Sequence, residues 1–204
     1  MRPQDFELLA KLLKERSGLV VSTEKVYLLE SRLTPVARRF NLENLDKLAD
    51  EIRYKPTEGL LREVTEAMTT NESFFFRDNT PFDLLQKQIL PMLTTRRATQ
   101  KKLRIWCAAC STGQEPYSIA MILNEQKAKW AGWNIEIVGT DLSSNVLRRA
   151  QEGIYSQFEV QRGLPIQLMV KYFTQVGESW QLAKEIRDMV KFKELNLLGN
   201  FSNL

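Results

Sequence analysis

The sequence predicts a small all-α domain followed by an α/β domain on a parallel, Rossmann-like sheet. Two observations predict this. Residues 1–70 carry apolar residues at helical spacing and no β-rich run. From Leu103 onward, short apolar runs alternate with helical patterns, which is the signature of βαβ units. Composition agrees with a packed chain. Of 204 residues, 43% are hydrophobic and 26% charged, enough to bury a core without a disulfide or metal staple.

The elements follow in order. Asp5 to Arg16 spaces Phe6, Leu9, Leu12 and Leu13 as one helix face, and Gly18 is its stop. Ser22 or Thr23 caps a second helix carrying Val26, Leu29, Leu33, Val36 and Ala37, which Pro35 should end, kink or split. Leu42 to Ile52 and Gly59 to Met68 give two more amphipathic helices, with a turn at Pro56. Residues 71–102 form a linker and a helix that Pro81 opens and Pro91 interrupts. Residues 103–204 form the α/β part. Leu103 to Ala108 is a first strand, Pro116 to about Lys129 a helix, and Ile135 to Gly139 a second strand. A helix through Val146 and Ala150 follows, then a helix at Leu164 to Phe173 and a third strand at Val190 to Lys193.

Composition also excludes functions. There is no histidine, so histidine triads and histidine metal sites are ruled out. The two cysteines, Cys107 and Cys110, cannot alone fill a zinc site, and no metal is expected. Their C-x-x-C spacing permits a thioredoxin-like redox pair, but the strand position of Cys107 favours buried, inert thiols. Net charge is +4, and residues 1–70 balance twelve basic against twelve acidic residues. No basic stripe with interleaved aromatics occurs, so nucleic acid is not expected as a partner. No apolar run approaches the roughly 18 residues of a membrane span, and Met1 to Phe6 has no apolar signal core. A cytoplasmic protein without membrane insertion is the expectation.

Two turns are candidate ligand sites. Cys107 to Pro116 sits after the first strand, where doubly wound sheets bind ligands, and its small residues allow close approach to the backbone. Glu115 would repel phosphate and suits a cationic ligand; the bland alternative is a plain turn with a solvated carboxylate. Asp141 closes the second strand. It can hold ribose hydroxyls or cap the next helix, although Ser143 or Ser144 could cap that helix instead.

Three stretches then become specific: Asn71-Glu72-Ser73-Phe74-Phe75-Phe76-Arg77, Trp106 through Ser118, and Gly139-Thr140-Asp141. Together they resemble the chemotaxis receptor methyltransferases, the CheR family, over essentially the whole chain. The resemblance implies a Rossmann-like, S-adenosylmethionine-dependent methyltransferase domain behind the helical one, with S-adenosylhomocysteine as product. It implies methyl transfer to glutamate carboxylates in the cytoplasmic methylation region of transmembrane chemoreceptors. It also implies cofactor contacts from Asn71, Ser73, Arg77, Gly113, Glu115 and Asp141, and from Asn196 and Leu197, which match the family's Asn-Leu pair. Ser73 stands where many members have Thr and keeps the hydroxyl. Arg77 is the catalytic candidate, its planar fork suited to an incoming carboxylate. A glutamate, with a reference pKa of about 4.3, is already ionised at neutral pH, so the chemistry needs no histidine base. Packing is the expected role of at least two of Phe74, Phe75 and Phe76.

In this family the N-terminal domain is thought to dock the receptor. Arg32, Arg38 and Arg39 are the candidates here, Arg32 and Arg39 sharing a helix face; a solvated face is the plainer alternative. Family members continue into a fourth strand and a Cys-Arg-Asn type motif. The expectation is therefore an incomplete cofactor site in these 204 residues, with catalysis by the full-length protein. A non-catalytic receptor- or cofactor-binding module is the alternative.

Overall fold

A computed structural model describes residues 1–202. The chain divides into two compact units, Met1–Thr70 with the residues from Asn196 onward, and Asn71–Leu195.

The first unit is helical. It contains α1 (Pro3–Ser17), α2 (Val26–Arg39), α3 (Leu45–Tyr54) and α4 (Glu58–Met68). Gly18 closes α1 in the left-handed conformation, its N–H donating to the Lys14 carbonyl. Asn44 and Thr57 cap α3 and α4 by accepting from the Lys47 and Leu60 N–H groups. Leu9, Leu13, Leu29, Leu33, Leu48, Leu60 and Val64 meet in the core. Each such side chain contributes about 1.5–3 kcal/mol of burial.

Pro35 does not stop α2, which runs through it to Arg39. The proline faces solvent, so water can satisfy the carbonyl that its missing N–H leaves unpaired.

A charged cluster ties α1 to α3. Asp5, fully buried, accepts from Arg2 at 2.6 Å and Arg53 at 2.7 Å, and both guanidiniums also reach Asp50. Burial pushes the Asp5 carboxyl up, but the Arg2 and Arg53 hydrogen bonds outweigh it and hold its pKa below the ordinary carboxylate value. Its contribution to stability is therefore complete at neutral pH and fades as pH falls below about 4. Asp5→Asn is expected to lower the thermal midpoint at pH 7, and the gap from the parent is expected to narrow toward pH 3. A gap independent of pH would contradict the network.

The second unit opens with a strap, residues 71–79, leading to α5 (Thr80–Leu84) and α6 (Leu90–Arg96). The two helices are joined by a wide π-turn at Leu85–Ile89, which absorbs the steric demand of Pro91. Then come β1 (Lys102–Ala108), α7 (Gln114–Glu125), β2 (Asn134–Asp141) and α8 (Ser144–Glu152). The chain continues through β3 (Ile154–Ser156), α9 (Gln157–Gln161), α10 (Ile166–Tyr172), β4 (Phe173–Val176), β5 (Ser179–Leu182), α11 (Lys184–Arg187) and β6 (Val190–Glu194). The parallel sheet has the order β1-β2-β6, with Ala108 opposite Thr140 and Asp141 opposite Glu194. The C-terminal ends of its strands therefore meet at one edge.

Three strands were expected and all three stand in the parallel sheet. The antiparallel sheet β3-β5-β4, inserted between α8 and β6, was not expected. Its strands have only three or four residues, too few for alternation to register.

Candidate functional site

The site is assembled around the first βα turn. Ala109, Ser111 and Gly113 all have positive φ, at 53°, 51° and 91°. Ala and Ser rarely adopt this conformation, so tertiary contacts must hold it. Three contacts do. The Cys110 N–H donates to the Thr140 carbonyl at 2.9 Å, the Ser111 N–H to Asp141 Oδ2 at 2.8 Å, and Ser111 Oγ to the Asn71 carbonyl at 2.8 Å. Gly113 is required on a second count, because a Cβ there would lie 3.0 Å from that of Ala150.

Asp141 is 7% exposed. Its other oxygen accepts from the Ser143 N–H at 3.0 Å, and Ser143 rather than Asp141 caps α8. Capping by Ser143 frees the Asp141 carboxylate from that task, as the sequence suggested it could, while two backbone N–H groups still donate to it. Asp141 braces both turns.

Glu115 lies exposed in the first turn of α7, where a carboxylate is favoured by the helix dipole. It sits beside the Cys107 thiol. Burial, reinforced by Glu115, pushes the Cys107 pKa well up, and burial with Asp141 nearby pushes Cys110 up to about 12. Both thiols are buried and unpaired, and thiols this reluctant to ionise make poor redox nucleophiles.

The strap packs over this turn. Phe75 is fully buried, edge-on to Tyr155 at 5.0 Å and Phe173 at 5.5 Å. Phe76 is buried despite a φ of 52°; its N–H donates to Ser118 Oγ at 3.0 Å and its ring meets Phe82. Two of the three phenylalanines are thus core, as expected. Phe74 is half-buried, Ser73 half-buried, and Asn71 and Arg77 exposed. Arg77 donates to the Glu72 carbonyl at 3.4 Å and stacks on Phe74.

Asn71, Gly113, Glu115 and Asp141 are therefore gathered at one end of the parallel sheet, with Ser73 and Arg77 on the strap above the turn. Asn196 and Leu197 fall in the helical unit, where the Asn196 amide donates to the Arg16 carbonyl at 2.6 Å. Ser111 was missed as a site residue. Its sequence neighbours, Thr112 and Gly113, mark a turn, and nothing local shows that Ser111 joins the strap to Asp141.

The helical candidates differ in their surroundings. Arg32 and Arg39 share a face that reaches α4, and Arg39 stays exposed. Arg32 donates to the Met68 and Thr69 carbonyls at 2.9 and 3.1 Å, capping the helix end, and Arg39 pairs with Glu63 at 2.6 Å. Arg38 is exposed.

A carboxylate at the end of β2 and another in the first turn of the helix that follows β1, with no basic residue between Cys107 and Ser118, suit a cationic, ribose-bearing ligand. Among the described residues no helix is long and apolar enough to cross a membrane.

Comparison with known proteins agrees. The family described as CheR methyltransferase, SAM binding domain, matches residues 71–204, and the CheR methyltransferase all-alpha domain matches residues 4–69. Chemotaxis protein methyltransferase 1 of Pseudomonas aeruginosa is 39% identical, over 98% of this chain and 74% of its own. Chemotaxis protein methyltransferase Cher2 of Pseudomonas putida is 36% identical over the same shares. A chemotaxis protein methyltransferase 1 of Vibrio cholerae is 33% identical, over 98% of this chain and 73% of its own. The chain belongs to the CheR methyltransferase family, and S-adenosylmethionine is its methyl donor.

The residues present fit that donor. Two carboxylates and small turn residues suit a sulfonium cation and ribose hydroxyls, and no basic phosphate cradle competes.

Proposed function

We propose that the protein methylates glutamate side-chain carboxylates in the cytoplasmic methylation region of transmembrane chemoreceptors, forming methyl esters that tune adaptation. The observation that carries this is the donor set: Asp141 at the end of β2 and Glu115 in the first turn of the helix after β1, with no histidine among the 204 residues. Such a site suits a cation and a ribose, and a glutamate acceptor, already ionised at neutral pH, asks for no histidine base.

Asp141 holds ribose hydroxyls, Glu115 faces positive charge on the donor, and Gly113 lets the ligand approach the turn. Asn71 and Ser73 supply polar contacts from the strap, and Arg77 orients the incoming carboxylate. When bound, S-adenosylmethionine supplies an activated methyl: a glutamate oxygen forms the new C–O bond as the C–S bond breaks, its electron pair passing to sulfur. Catalysis by these residues rests on alignment and proximity. Arg38 and Arg39, both exposed, are the residues of the helical unit available to dock an acidic receptor surface, Arg39 by exchanging its surface pair with Glu63. The setting is cytoplasmic, where such receptor regions lie and the two thiols stay reduced.

Methyl transfer from radiolabelled donor to a chemoreceptor cytoplasmic fragment tests the reading. The expected product releases labelled methanol in base, and a fragment with glutamine at the methylation positions is expected to take no label. Base-stable label would overturn it.

A further inference from the structure

The two βα turns account for a donor but leave one arrangement beside them unexplained. Arg162 lies between α9 and α10, its guanidinium 4.4 Å from the centroid of the Phe74 ring. Arg77 lies 5.7 Å from the same ring. Glu72 is shared between them: its carboxylate accepts from Arg162 at 2.9 Å and its carbonyl from Arg77. The neighbouring Gly163, at φ 80°, is pressed against the Phe75 carbonyl, so the backbone carrying Arg162 is fixed to the strap. The strap in turn is fixed to Ser111 of the first turn through Asn71, and to Ser118 of α7 through Phe76.

We infer that Arg162 is a second residue that recognises the acceptor carboxylate, and that Glu72 occupies its guanidinium in the free protein until the substrate glutamate replaces it. This rests on the function proposed above. Three features support it. The Glu72 side chain is 66% exposed, so its ion pair is weak and exchangeable. The guanidinium fork suits a carboxylate, and stacking on Phe74 holds that fork in place before substrate arrives. Arg77, over the same Phe74 ring, adds a second guanidinium beside that fork.

The test is binding of a labelled chemoreceptor methylation segment to the protein saturated with S-adenosylhomocysteine. One segment carries glutamate at its methylation positions and the other glutamine. The parent is expected to prefer the glutamate form. Arg162→Ala is expected to weaken that form about tenfold, the loss of roughly one charge-assisted hydrogen bond, and to erase the preference. Arg162→Lys is expected to restore part of it. Glu72→Gln is expected to tighten binding, because it removes the competitor. Because Glu72 and Arg162 lie on or against the strap, affinity for S-adenosylhomocysteine is measured for every variant and the segments are compared at saturation of each; the glutamate preference is the readout. A merely structural ion pair would make Arg162→Ala and Glu72→Gln weaken binding alike, and that result, or an unchanged preference in Arg162→Ala, overturns the inference alone. A parent that binds both segments equally overturns the proposed function, and the inference with it.

Discussion

Replacing Asp141 by alanine is expected to weaken binding of S-adenosylmethionine and S-adenosylhomocysteine by about 100-fold. The carboxylate is 7% exposed, and in the proposed site its lone pairs accept from ribose hydroxyls. Hydrogen bonds to a charged acceptor are worth about 1.5–3 kcal/mol, and about 2.8 kcal/mol corresponds to the stated loss. A second effect compounds the first. The Ser111 and Ser143 N–H groups lose their acceptor, each at about 1–3 kcal/mol if left unpaired, so the first turn loosens as well. Asp141→Asn keeps an acceptor for one of the two N–H groups and is expected to fall between parent and alanine variant in both affinity and thermal midpoint. Calorimetric titration beside a melting curve checks this. A folded alanine variant with parental affinity would remove Asp141 from the site.

Gly163→Ala is expected to be the most damaging small substitution in the α/β unit. A Cβ there would stand 2.1 Å from the Phe75 carbonyl oxygen and 3.0 Å from Phe74 Cδ2, and the φ of 80° is unfavourable for alanine in any case. The left-handed conformation costs about 1–2 kcal/mol, and displacing packed backbone about 1–3 kcal/mol. A loss of about 2–5 kcal/mol lowers the midpoint by about 4–20 °C in a chain of this size. The strap must move, so cofactor affinity is expected to fall too. Gly59→Ala is the control: Gly59 lies in α4 with nothing near its would-be Cβ, and that variant should melt no lower than the parent. Equal melting of Gly163→Ala and the parent would mean that this close approach is not formed.

The parallel βαβ frame was legible because its signals are local. Ile135 to Gly139 is a β-branched run, Asp141 closes it, and Pro116 opens the helix after the first strand. The antiparallel insert was not, because its strands are held by pairings such as Tyr155 with Trp180, which leave no period in three residues. Gly177, at φ 61° between β4 and β5, was the one available hairpin cue. At the site, Asp141, Glu115 and Gly113 could be picked out by position after a strand. Ser111 and Arg162 could not. Ser111 matters through residues 40 and 30 positions away, and Arg162 through a glutamate 90 positions away. Such pairings exist only once the chain is folded. The arginines of α2 show the converse: their shared face was correctly read, but only the packing of α4 reveals that Arg32 caps a helix end.

The central claim is that the strap and the two βα turns form one donor site. Titration with S-adenosylhomocysteine, followed residue by residue through backbone amide NMR shifts, tests it most directly. The account predicts the largest changes at Ser111 to Glu115, at Asp141 to Ser143 and along Asn71 to Arg77, saturating together with one affinity. Saturating changes confined to the helical unit, or to the antiparallel insert, would contradict it.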